Sequence, residues 1–292
     1  MTKQCLCDLC LRQEQLPTHG AGKRRNDVCT RGIRMKAATK DKSALPPRQG
    51  KIHLGTSGWV YPHWKGSFYP RELSPRHWLE YYSKHFNAVE INASFYRLPS
   101  RANVRLWQTI AGKSFLFCPK MSRFVTHAKK LNDPEQAVPR FFKVFGITGE
   151  GLGPVLLQIP QVLPFHEDKA VAFFSYLREH FSRIHFSLEG RHPSWFAPAV
   201  TDLLRRYRIG WVIADAGNRF TTPHLVTSRD IYVRFHGPDG RFSTSYPKTT
   251  LRRYAGLCRE WASSGYAVWI FFNNDIGGHA PRNALALKEL IG

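Results

Sequence analysis

From Lys51 onward, eight short apolar runs alternate with longer amphipathic stretches, and this alternation constrains the fold more than any other feature of the 292 residues. The runs are IHLGTS (52–57), AVEIN (88–92), FLFCPK (115–120), PVLLQIP (154–160), IHFSLE (184–189), WVIAD (211–215), IYVRFH (231–236) and VWIFFNND (268–275). Each has the length of a strand and is rich in β-branched or aromatic residues. Stretches 74–86, 133–145, 167–181, 197–207, 249–263 and 279–290 carry helical spacing. The first opens with Ser74-Pro75, a capping residue followed by proline, placed where a helix leaves its N–H groups unpaired anyway. The segment after the sixth run carries no clear helix. Eight strands alternating with helices over residues 51–292 predict an α/β chain folded as one (β/α)8 TIM-barrel-like domain. The rival, a doubly wound open sheet, usually shows a glycine-rich phosphate loop after its first strand. Gly55-Thr56-Ser57-Gly58 matches neither GxGxxG nor a P-loop.

Residues 1–50 lack any such period and read as a disordered basic extension, with 11 Lys/Arg against 4 Asp/Glu. Cys5, Cys7, Cys10, His19 and Cys29 lie within it, but no paired CxxC knuckle is present, so a solvated tail is expected rather than a metal site. Met35 precedes a Lys-containing stretch that leads to the first strand, and is a second candidate translation start that would exclude 1–34. The remaining chain holds 32 basic and 17 acidic residues, so the total of +22 is not confined to the extension. A field of that size attracts polyanions, which makes nucleic acid one partner to weigh. A hydrophobic fraction of 42%, including 20 Phe and 8 Trp, suffices for a core. No apolar run approaches 18 residues and the N-terminus has no apolar signal region, so a soluble, cytoplasmic protein without a membrane partner is expected. Scattered cysteines argue against a disulfide framework.

Side chains alternate across a strand, so the polar members of each run share one face. On this parity His185, Ser187 and Glu189 point inward together, as do Tyr232, Arg234 and His236. So do Ala88, Glu90 and Asn92; Cys118 and Lys120; and His53, Gly55 and Ser57. Gln158, Asp215, and Asn273 with Asp275 complete the set. Every strand thus brings a polar residue to its C-terminal end, where barrel enzymes place their chemistry. A ligand pocket accounts for all eight better than caps or ion pairs do.

The residues at these ends form a recognisable series. Gly55-Thr56-Ser57-Gly58-Trp59 is followed by Tyr61, Trp64, Gly66 and Phe68-Tyr69-Pro70. Val89-Glu90-Ile91-Asn92 with Phe95-Tyr96, and Pro119-Lys120 with Thr126-His127, come next. Glu189-Gly190-Arg191-His192 leads to Trp195-Phe196; Arg234-Phe235-His236-Gly237, Phe272-Asn273-Asn274-Asp275 and Asn283-Ala284 close the series. Over about residues 52–291 the chain resembles the YecE-like family, a domain of unknown function (number 72). The resemblance implies a TIM-barrel fold and carries over no reaction or cofactor.

The pocket inventory sets Glu90, Glu189, Asp215 and Asp275 against Lys120, Arg191, Arg234, His236 and His192. Trp59, Tyr61, Trp64, Tyr96 and Trp195 follow strand ends, where flat rings could form a stacking platform for a base or sugar. Glycoside hydrolysis needs paired carboxylates, but the fourth and seventh strands end in Gln158 and His236. Glu189, Asp215 and His236 lie on consecutive strands, yet the guanidinium of Arg234 beside them opposes a bound cation, so no metal is assigned. No Schiff-base role for Lys120 can be read from the sequence; an inward lysine can be such a nucleophile but more often pairs with a carboxylate such as Glu90. No GxSxG elbow is present. The arrangement fits anion recognition with acid–base chemistry. Arg234 and Arg191 grip a phosphate or carboxylate, His236 carries the proton, and Glu189, Glu90, Lys120 or Asp215 assist. Asn92, Gln158, Asn273, Asn274, Asp275, Ser57, Trp59, Tyr96, Trp195 and His192 line the ligand. The expected partner is an anionic, phosphorylated or nucleic-acid-derived small molecule. A non-catalytic nucleic-acid binder and a small-ligand sensor are the alternatives.

Overall fold

Strands separated by helices cannot pair as hairpins, so parallel pairing is the expected outcome. A computed structural model describes residues 49–217 and 219–292 and shows that pairing. The expected extension up to residue 48, the cysteine cluster around Cys5–Cys10 and the alternative start at Met35 lie outside the described residues.

In chain order the strands are β1 (Ile52–Thr56), β2 (Ala88–Ile91), β3 (Leu116–Pro119), β4 (Val155–Ile159), β5 (Phe186–Gly190), β6 (Gly210–Ala216), β7 (Phe220–Thr221), β8 (Asp230–Phe235) and β9 (Ala267–Phe272). The helices are α1 (Trp78–His85), α2 (Ala93–Tyr96), α3 (Arg101–Ala111), α4 (Pro134–Phe145), α5 (Glu167–His180), α6 (Pro198–Arg206), α7 (Lys248–Ser263) and α8 (His279–Ile291). Each of the eight apolar runs contains a strand. The segment after β6 has no helix; it holds β7, which folds back antiparallel on β6 through Asp215–Thr221 and Ala216–Phe220. Helices α2 and α3 are additions to the sequence reading. α3 is capped by the Ser100 hydroxyl, which accepts from Asn103 N at 3.1 Å. Val104 is buried, and Trp107, Ile110 and Ala111 extend the same apolar stripe against the core at helical spacing, a signal the sequence reading missed.

The strands pair in the order β1-β9-β8-β6-β5-β4, with β2-β3 a separate parallel pair. Two backbone bonds join β3 to β4, Met121 N to Leu156 O at 2.8 Å and Gly153 N to Phe117 O at 2.9 Å. Between β1 and β2 side chains replace the ladder. Asn87 accepts from Leu54 N at 2.8 Å and donates to Ile52 O at 3.0 Å. The Tyr82 hydroxyl accepts from Thr56 N at 2.7 Å and sits 3.3 Å from Ala88 O. The sheet is therefore not closed by strand pairing, and the expected barrel is corrected at this seam. The strands still approach closely there: a Cβ on Gly55 would lie 2.0 Å from the Ala88 carbonyl oxygen, so no larger residue fits.

Two apolar clusters result. The larger packs one face of the strands against the helices, with Trp64, Tyr82, Phe141, Phe173, Phe235 and Phe272 among its members. The smaller unites the opposite faces of β2, β3, β4, β6, β8 and β9 through Ala88, Cys118, Leu156, Val212, Ala214, Tyr232, Trp269 and Phe271. At the N-terminal strand ends Trp269 stacks on His53 at 4.0 Å and donates to Asp230 at 2.9 Å, and Asp230 pairs with His185. Inward parity is thus corrected at two positions. Val212 and Ala214 face the smaller cluster, so Asp215 faces the helices, 3.2 Å from both Tyr246 and Tyr254 hydroxyls. WVIAD is apolar on both faces, so its phase cannot be read from a lone acid. Asp275 lies beyond the end of β9, where alternation no longer applies, and accepts from Trp64 Nε1 at 2.5 Å while pairing with His63 at 2.9 Å.

Candidate functional site

Above the smaller cluster, at the C-terminal ends of the strands, lies a buried ionic network. Parity on β2 and β8 aims Glu90 and Arg234 at one another across the interior. The pair is bidentate, Arg234 Nε to Glu90 Oε2 at 2.9 Å and Nη2 to Oε1 at 2.7 Å. Arg234 Nη1 reaches Glu189 Oε2 at 2.5 Å. Glu90 also accepts from Tyr232 Oη at 2.8 Å and from Ser57 Oγ at 2.7 Å. Its four contacts satisfy both oxygens, as a buried carboxylate requires. Burial alone would raise the Glu189 pKa, but Arg234 and Arg191 hold it well below the usual carboxylate range. Arg234 is fully buried between the two acids and remains protonated.

Arg234, expected to grip a ligand, has its Nε, Nη1 and Nη2 groups engaged by Glu90 and Glu189. It is the keystone that lets two carboxylates be buried together. Arg191 differs: its Nε donates to Glu189 at 2.9 Å, its guanidinium lies over the Phe220 ring at 5.1 Å, and it is half-buried.

Lys120 follows β3 and projects beside the network. Its backbone is pinned by Lys120 N to Ile91 O at 3.1 Å and by Ser94 Oγ to Lys120 O at 2.7 Å. Its amine lies 4.1 Å from the Phe95 ring centroid and has no carboxylate partner among the described residues. Pairing with Glu90, one of the sequence-based options, does not occur, because Glu90 is already saturated. Burial, then the charges of Arg234 and Arg191, lower the Lys120 pKa to about 7. His236 is fully buried. Burial and Arg234 lower its pKa to about 4, so it is neutral near pH 7, and the expected neutral-pH titration shifts to Lys120. Its Nδ1 meets Asn273 Nδ2 at 3.2 Å, and its Nε2, 3.7 Å from Glu189, has no hydrogen-bond partner among the described residues.

The other predicted residues divide into two groups. Asn92 meets Asn273 at 3.5 Å, and Gln158 is buried in register beside Glu189 on β4, so both belong to the cluster. Outside it, Trp59 packs edge-on against Trp107 at 5.1 Å, and Trp195 is buried and donates to Leu163 O at 2.9 Å. His192 accepts from Ser194 N and caps the turn Pro193–Phe196. Asn274 donates to Thr244 O and Asn283, each at 2.8 Å, and so holds loops together. Tyr96 stands at an open groove of about 500 Å³ shared with Phe95, Arg123, Phe124, His127 and Arg140.

Four residues of the site escaped the sequence reading. Tyr232 was placed inward by parity yet not assigned a role. Phe220, from β7, and Phe242 flank His236, with ring centroids 5.6 and 5.4 Å away. Neither lies on a strand of the eight-run pattern. His127 stands edge-on to Phe95 at 4.8 Å; burial and the charge of Lys120 lower its pKa to about 4. Its only sequence signal was Thr126-His127 within the family series.

The family described as "Protein of unknown function DUF72" matches residues 53–292. The chain is 26% identical over 270 residues to the UPF0759 protein YunF of Bacillus subtilis, covering 82% of this chain and 94% of that one. It is 27% identical over 146 residues to the UPF0759 protein YecE of Escherichia coli K12, half of each chain. The crystal structure of a DUF72 family protein from Thermotoga maritima superposes with a TM-score of 0.74 at 28% identity, covering 82% of this chain and 98% of that one. One from Enterococcus faecalis gives 0.72 at 19% identity, covering 82% and 95%, a likeness of fold alone. With the match running across the strand ends that build the ionic network, this chain belongs to the DUF72 family of proteins of unknown function.

Proposed function

We propose that residues 51–292 form a TIM-barrel-like enzyme domain that binds a small anionic molecule at the C-terminal strand ends and uses Lys120 to carry a proton. One observation carries this reading. The buried network sets two carboxylates, Glu90 and Glu189, against Arg234, Arg191 and the unpaired amine of Lys120. Once Lys120 is protonated, one positive charge is left over in a poorly solvated site. An anionic ligand group supplies the missing charge. A general acid or base works best with a pKa near the operating pH, which Lys120 meets and His236 does not. Arg191 then contacts the anion, and Asn92, Gln158, Asn273 and neutral His236 orient it.

Calorimetric titration with inorganic phosphate tests the reading. Binding is expected to strengthen below pH 7, and to weaken about tenfold or more, about 1.4 kcal/mol, in Lys120→Met and in Arg191→Gln. Equal binding by all three proteins would refute it.

A second reading, nucleic-acid binding without catalysis, rests on the neighbouring groove. There Tyr96 and Phe124 are 55% and 49% exposed beside Arg123 and Arg140. Its mark is a salt slope of about −0.7 per phosphate contacted on single strands. A flat salt response removes it.

A further inference from the structure

An amine is a nucleophile only when it is unprotonated, unpaired and reachable. Lysines usually fail the first two conditions, because at neutral pH they are charged and seek carboxylates. The surroundings of Lys120 remove both obstacles. The charged groups that act on its amine can be named. Glu90 on β2 is held by Arg234, Tyr232 and Ser57. Glu189 on β5 is held by Arg234 and Arg191. The guanidiniums of Arg234 on β8 and Arg191 after β5 oppose a further positive charge, and the Phe95 ring and His127, neutral near pH 7, lie beside it. The residue is not sealed in, since it is half-buried, and Phe95 and His127 also line the open groove of about 500 Å³.

We propose that Lys120 is a covalent nucleophile that captures the carbonyl carbon of a small anionic aldehyde or keto compound as an imine. The inference rests on the anion site proposed above and specifies its substrate as an anion that also bears a carbonyl. The Nζ lone pair attacks the carbonyl carbon, forming a C–N bond while the C=O π electrons move to oxygen. Proton transfer from nitrogen to that oxygen gives a neutral carbinolamine. The C–O bond then breaks, the oxygen departs as water with both original amine protons, and a C=N bond remains. No oxidant or reductant is consumed. Protonation of the imine nitrogen from solvent restores the positive charge, which Glu189 and the ligand's own anion stabilise. Arg191, already anchored on Glu189, is the contact for that anion. The Phe95 ring, 4.1 Å from the amine, covers one side and limits the approach of water.

The full chain is incubated at pH 7 with glyoxylate and cyanoborohydride, which reduces an imine to a stable carboxymethyl-lysine, and each lysine is followed by peptide mass mapping. Glycolate, which keeps the carboxylate and lacks the carbonyl, is titrated separately by calorimetry. At pH 7 a lysine of ordinary pKa is unprotonated in about one molecule per several thousand, whereas Lys120 is about half unprotonated. Lys120 is therefore expected to be modified at least tenfold faster than the mean surface lysine, and excess glycolate is expected to slow this. Lys120→Arg, which retains a positive charge, is expected to keep its fold by circular dichroism and to show no preferred site. Glycolate binding without preferential modification of Lys120 overturns the nucleophile and leaves the anion site standing. Absence of glycolate binding overturns the anion site and this proposal with it.

Discussion

Replacing Lys120 by Met should stabilise the protein, and by an amount that depends on pH in a defined way. Methionine keeps most of the length of the side chain and removes the amine. In the unfolded chain a lysine titrates near 10.5, and in the folded site near 7. Between these values the unfolded state holds one proton more than the folded state, so the stability of the natural protein rises with pH across that window. Below pH 7 both states are charged and the full cost of the site is present; above about 10.5 both are neutral and it vanishes. At about 1.4 kcal/mol per pH unit the gap between the two pKa values sets a ceiling near 5 kcal/mol. Partial solvent access reduces this, so an advantage of about 2–4 kcal/mol for Lys120→Met is expected at pH 6.5. Urea unfolding of both proteins between pH 6.5 and 9.5 measures it. The advantage should shrink by about 1.4 kcal/mol per pH unit above pH 7. Parallel stability profiles, or a less stable Met variant at pH 6.5, would show that Lys120 is an ordinary charged lysine.

Glu90→Gln leaves Arg234 facing a neutral acceptor in a dry site, and should cost about 3–5 kcal/mol in denaturant unfolding. An effect below 1 kcal/mol would mean that water reaches the pair. Asn87→Ala removes the acceptor of the Leu54 amide at the β1–β2 seam and is expected to cost about 1–3 kcal/mol; hydrogen exchange should show faster opening of the Leu54 and Thr56 amides. Asp215→Asn should lower the melting temperature through its tyrosine contacts while leaving phosphate affinity unchanged. A tenfold affinity loss in that variant would return Asp215 to the site.

Much of the network was legible from period-two alternation. Glu90, Glu189, Arg234, His236, Ser57, Gln158 and Lys120 were all placed on inward faces, because strands with one polar and one apolar face declare their phase. Where that contrast fails, the reading fails. WVIAD is apolar on both faces, and Asp215 was placed inward when it faces Tyr246 and Tyr254. Beyond Phe272 the strand has ended, and Asp275 follows the loop rather than the pleat. Trp59, Trp195 and His192 follow strand ends in sequence but turn into local packing, which spacing alone does not disclose.

By itself the sequence determined eight of the nine strands, their order along the chain and most of the polar ends that meet, because these depend on local period and composition; β7, two residues long and antiparallel, left no such period. Partnership was decided only in three dimensions. Ser57, Tyr232, Arg234 and Arg191 take up the two buried carboxylates, a choice set by reach and angle across strands distant in the chain. Arg234, a ligand-gripping residue in the sequence reading, closes on Glu90 and Glu189 in the structure. That leaves Lys120 unpaired beside Phe95, and it is this exclusion, absent from any local pattern, that gives the site an amine able to titrate near pH 7.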